Sequence, residues 1–126
     1  MYRKMCVFVS VLSAIYALSY TLAPSLTASL YLPNANADTI VMGRYFAVAL
    51  WFTAIVCWLL KDSVDQHVHR AIAVAGIASA ALGTITSLIY TINGQMTVLG
   101  WGPVFIYLLA LIGWLLVFRS SSQTVP

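Results

Sequence analysis

Glutamate is absent from this 126-residue chain, and charged residues make up only 7% of it, against 62% hydrophobic residues. A soluble domain carries roughly 25% charged residues. Six lysines and arginines with three aspartates therefore cannot cover a globule of this size in water. The basic residues stand scattered at the ends of apolar segments, which argues against nucleic acid as a partner. The composition predicts one membrane domain over residues 1–126.

The chain also lacks the residue groupings that carry chemistry. It has no glycine-rich phosphate loop, no serine–histidine–aspartate set and no paired carboxylates. Neither histidine lies in mid-membrane, so a haem within a helix bundle would find no axial ligand. Cys6 and Cys57 form no CxxC motif and are predicted to be buried, reduced thiols near one membrane face. We expect a protein that is not an enzyme and binds no cofactor.

Four apolar segments are long enough to cross a bilayer as helices, which takes about 20 residues. They are residues 5–23, 39–60, 71–92 and 98–118. The first follows a basic start, as a signal peptide does, but it is longer than the roughly 7–15 apolar residues of such a peptide. We therefore predict a retained helix and an all-α fold, a bundle of four transmembrane helices.

The segments between the spans are rich in residues that start or end helices. Asp38 is predicted as the N-cap of the second span. Ser63 and Gln66 fit a capping box before the third. The segment 24–38 holds prolines and asparagines but is also apolar, so it should lie along the membrane surface with a short helical turn. Residues 119–126 form a short polar tail.

The basic residues are distributed unequally between the two ends of the predicted bundle. With four spans, one side holds both termini and the 61–70 loop, and that side carries Arg3, Lys4, Lys61, Arg70 and Arg119. The other side holds only Arg44. Because short cytoplasmic segments are enriched in lysine and arginine, both termini are predicted to be cytoplasmic. A bacterial inner membrane is the expected location.

Two spans carry rows of small residues, which let helices approach closely in lipid. The rows are Ser10, Ser13, Ala14, Ala17 and Thr21 in the first span, and Gly76, Ser79, Ala80, Gly83 and Ser87 in the third. We expect both rows to pack against neighbouring helices. Val7, Val11, Ile15, Leu18 and Leu22 would then face lipid or a partner protein.

Arg44 is the one charge inside a span, and such a residue is a candidate ligand site. It lies about 24 Å from the inner edge at 1.5 Å per residue. The hydrocarbon core is about 30 Å thick, so the guanidinium can reach the outer interface. Arg44 is thus a candidate to bind a lipid or an anionic head group, or simply an anchor.

The 61–70 loop holds Asp62, Asp65, His67 and His69, a weak candidate for a transition-metal site. On a turn the two imidazoles could converge, whereas on a helix Asp65 and His69 become the neighbouring pair. A solvated loop capping the third helix explains the same residues. Tyr16 and Tyr107 offer hydroxyls near mid-span, and we expect inter-helix hydrogen bonds from them.

Four short motifs stand at the predicted helix ends: Leu22-Ala23-Pro24, Gly43-Arg44-Tyr45-Phe46, Trp58-Leu59-Leu60-Lys61 and Leu99-Gly100-Trp101. With these, nearly the whole chain resembles a broad class of small bacterial four-helix membrane proteins, a resemblance that implies a fold and no activity. It is less similar to DoxX-type proteins, which share the helix count. Small multidrug transporters need a glutamate in helix one, and this chain has none. Trimeric membrane glutathione transferases need charged residues inside their helices, and here only Arg44 could serve.

These observations predict a non-catalytic accessory or scaffolding subunit that packs against a larger membrane complex. Its partners would be membrane lipids and other integral membrane subunits, or further copies of itself. The alternative is a small homo-oligomeric transporter or a lipid- or quinone-binding protein, with Arg44 recognising an anionic head group.

Overall fold

The computed structural model describes residues 1–122, and this range is helical with short connections. Its elements are α1 (Tyr2–Leu22), α2 (Pro24–Tyr31), α3 (Ala37–Leu60), α4 (Gln66–Ile92), a 3₁₀ turn (Val98–Gly100) and α5 (Trp101–Ser122). Four helical runs are long and apolar enough to cross a membrane: α1, α3, α4 and Val98–Ser121. The predicted all-α fold with four such helices is confirmed.

The start of α3 differs from the prediction that Asp38 is its N-cap. The Asn36 side chain accepts a hydrogen bond from the Thr39 backbone N–H at 3.0 Å. The Thr39 hydroxyl accepts in return from the Asn36 N–H at 2.8 Å. This reciprocal capping box fixes the helix start two residues earlier than predicted, and Asp38 lies in the first turn.

The start of α4 also differs from the predicted Ser63–Gln66 capping box. Asp65 is the N-cap, and its carboxylate accepts from the His67 N–H at 2.8 Å. The Ser63 hydroxyl instead accepts from the Asp65 N–H at 3.3 Å. The connection between α3 and α4 is therefore shorter than predicted, and His67 and His69 belong to the first turn of α4.

Helices α1 and α3 form the first hairpin, with small residues along their seam. The Tyr2 hydroxyl donates to the Leu60 carbonyl at 3.1 Å, and the Ser10 hydroxyl donates to the Ala54 carbonyl at 2.7 Å. Further along, the Tyr20 ring lies against Gly43. These contacts fix an antiparallel register, in which Tyr2, Ser10 and Tyr20 of α1 meet Leu60, Ala54 and Gly43 of α3 in turn.

Helices α4 and α5 form the second hairpin, where small residues of α4 receive large ones of α5. Trp114 lies on Gly76 and Tyr107 lies on Gly83, one heptad away along both helices. Between these contacts Ala80 and Ala110 are both buried. Glycine is required at 76 and 83 because a Cβ would stand where the rings lie.

The two hairpins are joined at both ends of the bundle. At one end, here called the terminus face, the rings of Tyr2 and His69 stack with centroids 3.8 Å apart. At the other end, here called the loop face, the Thr97 N–H donates to the Tyr31 carbonyl at 2.8 Å. In between, α1 packs on α5, whereas α3 and α4 make no extended contact within residues 1–122. The helices therefore pack in the order α3, α1, α5, α4.

Candidate binding groove

A groove of about 280 Å³ lies between the two hairpins in the half of the bundle nearer the loop face. Four tyrosines define it, and we call it the tyrosine groove: Tyr16, Tyr20, Tyr31 and Tyr107. Phe8, Leu12, Phe46 and Ile106 contribute apolar walls. No charged side chain is among its lining residues in the described part of the chain.

Tyr16 and Tyr31 form the one hydrogen-bonded tyrosine pair of the groove within residues 1–122. Their hydroxyl oxygens are 3.1 Å apart and join α1 to α2. Helix α2 is held in place for this contact by buried Thr27, whose hydroxyl donates to the Ser19 carbonyl at 3.0 Å. The predicted inter-helix hydrogen bond of Tyr16 is thereby confirmed.

Tyr20 and Tyr107 are positioned through their rings. The Tyr20 ring lies against Gly43 and meets Phe46 edge to face, with centroids 5.9 Å apart. The Tyr107 ring lies on Gly83. Neither hydroxyl has a hydrogen-bond partner within residues 1–122, so the bond predicted for Tyr107 is not formed there. Both phenols remain available to a molecule in the groove.

The loop face closes one end of the groove. Leu32 and Met96 lie in its lining. The Thr91 hydroxyl donates to the Ser87 carbonyl at 2.7 Å and lies 3.8 Å from the Met96 sulfur. Pro103 stands in the first turn of α5, where a missing N–H costs no helical hydrogen bond. Helix α3 makes no extended contact with α4 or α5 within residues 1–122, so the helices do not enclose the groove completely.

Arg44 does not belong to the tyrosine groove. It follows Gly43 on α3, is exposed, and is not a lining residue. It makes no ion pair or hydrogen bond with residues 1–122. Successive residues of a helix point about 100° apart, so a glycine that faces Tyr20 turns the next side chain away from the groove.

The small-residue rows fall mostly on the seams of the hairpins. Ser10, Ser13 and Ala17 are buried on α1, and Gly76, Ala80 and Ser87 are buried on α4. Gly83 is half-buried beneath Tyr107 and Ala14 is half-buried on α1. Ser79 and Thr21 are exposed. Ser79 donates to the Gly76 carbonyl of its own helix, and Thr21 accepts from the Trp51 indole at 3.3 Å.

On the opposite side of α1, Val11, Ile15, Leu18 and Leu22 are exposed and Val7 is half-buried.

The weak metal candidates are not brought together. Asp65 caps α4 and His67 is exposed. His69 stacks on Tyr2, and its Nε2 lies 2.6 Å from the Ser63 carbonyl oxygen. No group of three or more histidine, cysteine or acidic side chains assembles within residues 1–122. The terminus face instead holds ion pairs of Asp62 with Arg3 and Lys61, at 2.9 and 3.4 Å.

The two cysteines meet across the first hairpin. Cys6 and Cys57 are both buried and free. Together with Tyr2 they belong to one buried cluster. The pair lies about one turn from the terminus face on both helices. Its burial results from the packing of α1 against α3.

The tyrosine cluster was missed by reasoning from sequence. Tyr16 and Tyr20 share one face of α1 by their four-residue spacing, but that spacing is equally typical of helix packing. Tyr31 lies in a segment that was expected to face the membrane surface. What brings it to α1 is the short helix α2 and its Thr27 contact, which no local pattern specifies.

No protein-family model, curated protein or solved structure matches this chain.

Proposed function

We propose that this chain is a non-catalytic integral membrane protein that binds a lipid-soluble small molecule in the tyrosine groove. The observation that carries the proposal is an apolar groove of about 280 Å³ whose polar groups are mainly tyrosine hydroxyls. Small-molecule sites are typically concave, mostly apolar and equipped with a few polar groups that fix orientation. The binding alternative drawn from the sequence thus gains a site, with tyrosines in place of Arg44.

Helix α3 makes no extended contact with α4 or α5 within residues 1–122, which supports a ligand that arrives between the helices from the bilayer. A molecule dissolved in lipid can enter there without crossing the polar ends of the bundle. The loop face is tied by the Thr97 bond to Tyr31 and by a second bond from its hydroxyl to the Leu30 carbonyl. Entry from that end would require breaking both hydrogen bonds.

A groove-filling substitution tests this function. Leu12 lines the groove, whereas Val11 beside it is exposed on the outer side of α1. The protein would be extracted in mild detergent and analysed by native mass spectrometry for bound small molecules. The wild type and Val11→Trp should retain a ligand that Leu12→Trp has lost. Equal retention in all three would refute the proposal.

A second function is favoured by a different face of the molecule. Large residues Tyr45, Val48, Phe52, Ile55 and Leu59 are exposed on α3. They recur with the three- and four-residue spacing of a coiled-coil seam, which suits a partner helix. This row supports an accessory or scaffolding subunit that packs against a larger membrane complex or against another copy of itself.

Co-purification tests the second function. After mild extraction, the wild type should elute with a partner subunit or as an oligomer, and Phe52→Ala should weaken that association. Phe105→Ala is the matched control, because Phe105 is similarly exposed but lies on α5. A wild-type chain that elutes as a monomer, free of other proteins, would count against this role.

We also propose that both termini face the cytoplasm of a bacterial inner membrane. The terminus face carries the start of α1, the connection between α3 and α4, and the last turn of α5 with Arg119. Lysine and arginine are enriched in cytoplasmic segments, which supports this orientation.

A further inference from the structure

We infer that the ligand of the tyrosine groove is a neutral quinone-type molecule, whose ring carbonyls accept hydrogen bonds from tyrosine hydroxyls. The inference rests on the proposed binding function and names the chemical class of its ligand. It concerns binding alone and includes no redox step.

The groove offers a ligand no charged side chain within the described part of the chain. The lining residues of the groove include tyrosines, serines and a methionine as polar groups, and none of the residues described there is ionic. An ionised head group in such a site would lose hydration without gaining an opposite charge, which disfavours its binding. A fatty acid carboxylate or a phosphate therefore does not fit.

The tyrosine hydroxyls of the groove have protons to donate to a ligand. In the Tyr16–Tyr31 pair one hydroxyl donates to the other, so one proton of the pair remains without an acceptor. The hydroxyls of Tyr20 and Tyr107 have no partner within residues 1–122. A phenol is held away from its own backbone by its ring and cannot return its proton there, as a helical serine can. The groove thus offers donors, and the ligand must supply acceptors.

The size and the walls of the groove suit a small ring. The volume of about 280 Å³ lies near the lower end of the roughly 300–1,000 Å³ typical of small-molecule sites. It suits a single substituted ring and not an entire lipid. Aromatic walls such as Phe8 and Phe46 suit a planar ring, because offset and edge-to-face arrangements of rings are favourable. An alkyl tail would extend from the groove towards the bilayer, because the helices do not enclose the groove completely.

The test uses the full-length protein in detergent and a benzoquinone with a short alkyl tail as the probe. Binding is measured by native mass spectrometry, and the carbonyl stretch of the bound probe by infrared spectroscopy. A donated hydrogen bond lowers that stretching frequency. The same measurements are made with a fatty acid methyl ester, which offers a carbonyl without a ring.

Tyr20→Phe and Tyr107→Phe remove one hydroxyl each and keep the ring. Each should weaken binding of the benzoquinone about fivefold, the effect of one net hydrogen bond, and should raise its carbonyl frequency. Tyr45→Phe is the control, because Tyr45 is exposed on the outer side of α3. It should change neither quantity.

The outcomes separate this inference from the function on which it rests. Tyrosine-dependent binding of the methyl ester in place of the benzoquinone would overturn the ring assignment. Benzoquinone binding that ignores both tyrosines would overturn the donor assignment. If neither probe binds while Leu12→Trp still displaces a native ligand, the quinone class fails and the groove function stands. If Leu12→Trp displaces nothing, the groove function itself fails.

Discussion

Trp114 of α5 lies on Gly76 of α4, with its indole nitrogen 2.5 Å from the place where a Cβ of residue 76 would stand. One heptad away, the Tyr107 ring comes within 2.6 Å of the equivalent place at Gly83. In lipid, helices associate through such close packing. Apolar contact between two helices offers no advantage by itself, because the lipid tails are equally apolar. The second hairpin thus depends on two glycines that receive two rings.

Replacing Gly76 with alanine should therefore destabilise the protein by about 1–3 kcal/mol, the usual cost of overpacking. The control is Gly102→Ala, since a Cβ at Gly102 meets nothing within 4 Å. That substitution should be neutral or slightly stabilising, because alanine is the better helix former. Reversible unfolding in mixed detergent micelles measures both. Equal stability of the two variants would contradict the packing of Trp114 on Gly76.

Tyr2 is predicted to stabilise the terminus face through its hydroxyl as well as its ring. It is buried, donates to the Leu60 carbonyl and stacks on His69. Tyr2→Phe keeps the stack and removes the hydrogen bond, so it should cost about 1 kcal/mol in unfolding free energy. Tyr45→Phe, on an exposed surface, should cost nothing measurable. A loss for Tyr45→Phe as large as that for Tyr2→Phe would refute this assignment.

The four spanning helices follow from the sequence because length and apolar character are properties of each segment alone. The exposure of Val11, Ile15, Leu18 and Leu22 follows in the same way from helical periodicity. Helix starts were less well determined, since several polar residues compete within one turn. Asn36 prevails over Asp38 because Thr39 completes its capping box. Asp65 prevails over Ser63 because its carboxylate accepts a hydrogen bond from the His67 N–H.

The groove is not encoded in any local pattern. It exists because α3 makes no extended contact with α4 or α5 within residues 1–122, while the hairpins are joined at their two ends. Apolar side chains serve equally well against lipid and against another helix, so composition does not reveal where helices separate. Arg44 was a candidate ligand site because it is the one charge inside a span. The arrangement of the helices leaves it outside the groove.

The register of the first hairpin predicts which positions can be joined covalently. Ala17 and Ala47 are both buried and lie between the Ser10–Ala54 and Tyr20–Gly43 contacts. With Cys6 and Cys57 replaced by alanine, Ala17→Cys with Ala47→Cys should form a disulfide under mild oxidation. Ile15→Cys with Ala47→Cys should not, because Ile15 is exposed on the outer side of α1. Gel mobility before and after reduction reports the bond, and the opposite pattern would show a different register.

The orientation can be tested with cysteines at the two ends of the bundle. In the same cysteine-free background, Ser120→Cys and Asn93→Cys place a thiol in the last turn of α5 and directly after α4. A membrane-impermeant maleimide added to intact cells should label Asn93→Cys and leave Ser120→Cys unlabelled until the membrane is opened. The reverse result would show that both termini are external.

Arg44→Gln is predicted to leave occupancy of the tyrosine groove unchanged. The guanidinium is exposed, lines no part of the groove and has no ion-pair partner within residues 1–122. Its charge can still attract anionic lipid head groups, which draw basic residues at a membrane surface by about 1 kcal/mol each. The variant should therefore retain the groove ligand in native mass spectrometry and lose part of its bound anionic lipid. Leu12→Trp should show the converse. If Arg44→Gln lost the ligand and kept the lipid, Arg44 would be the residue that recognises the ligand. The tyrosines would then only line the groove.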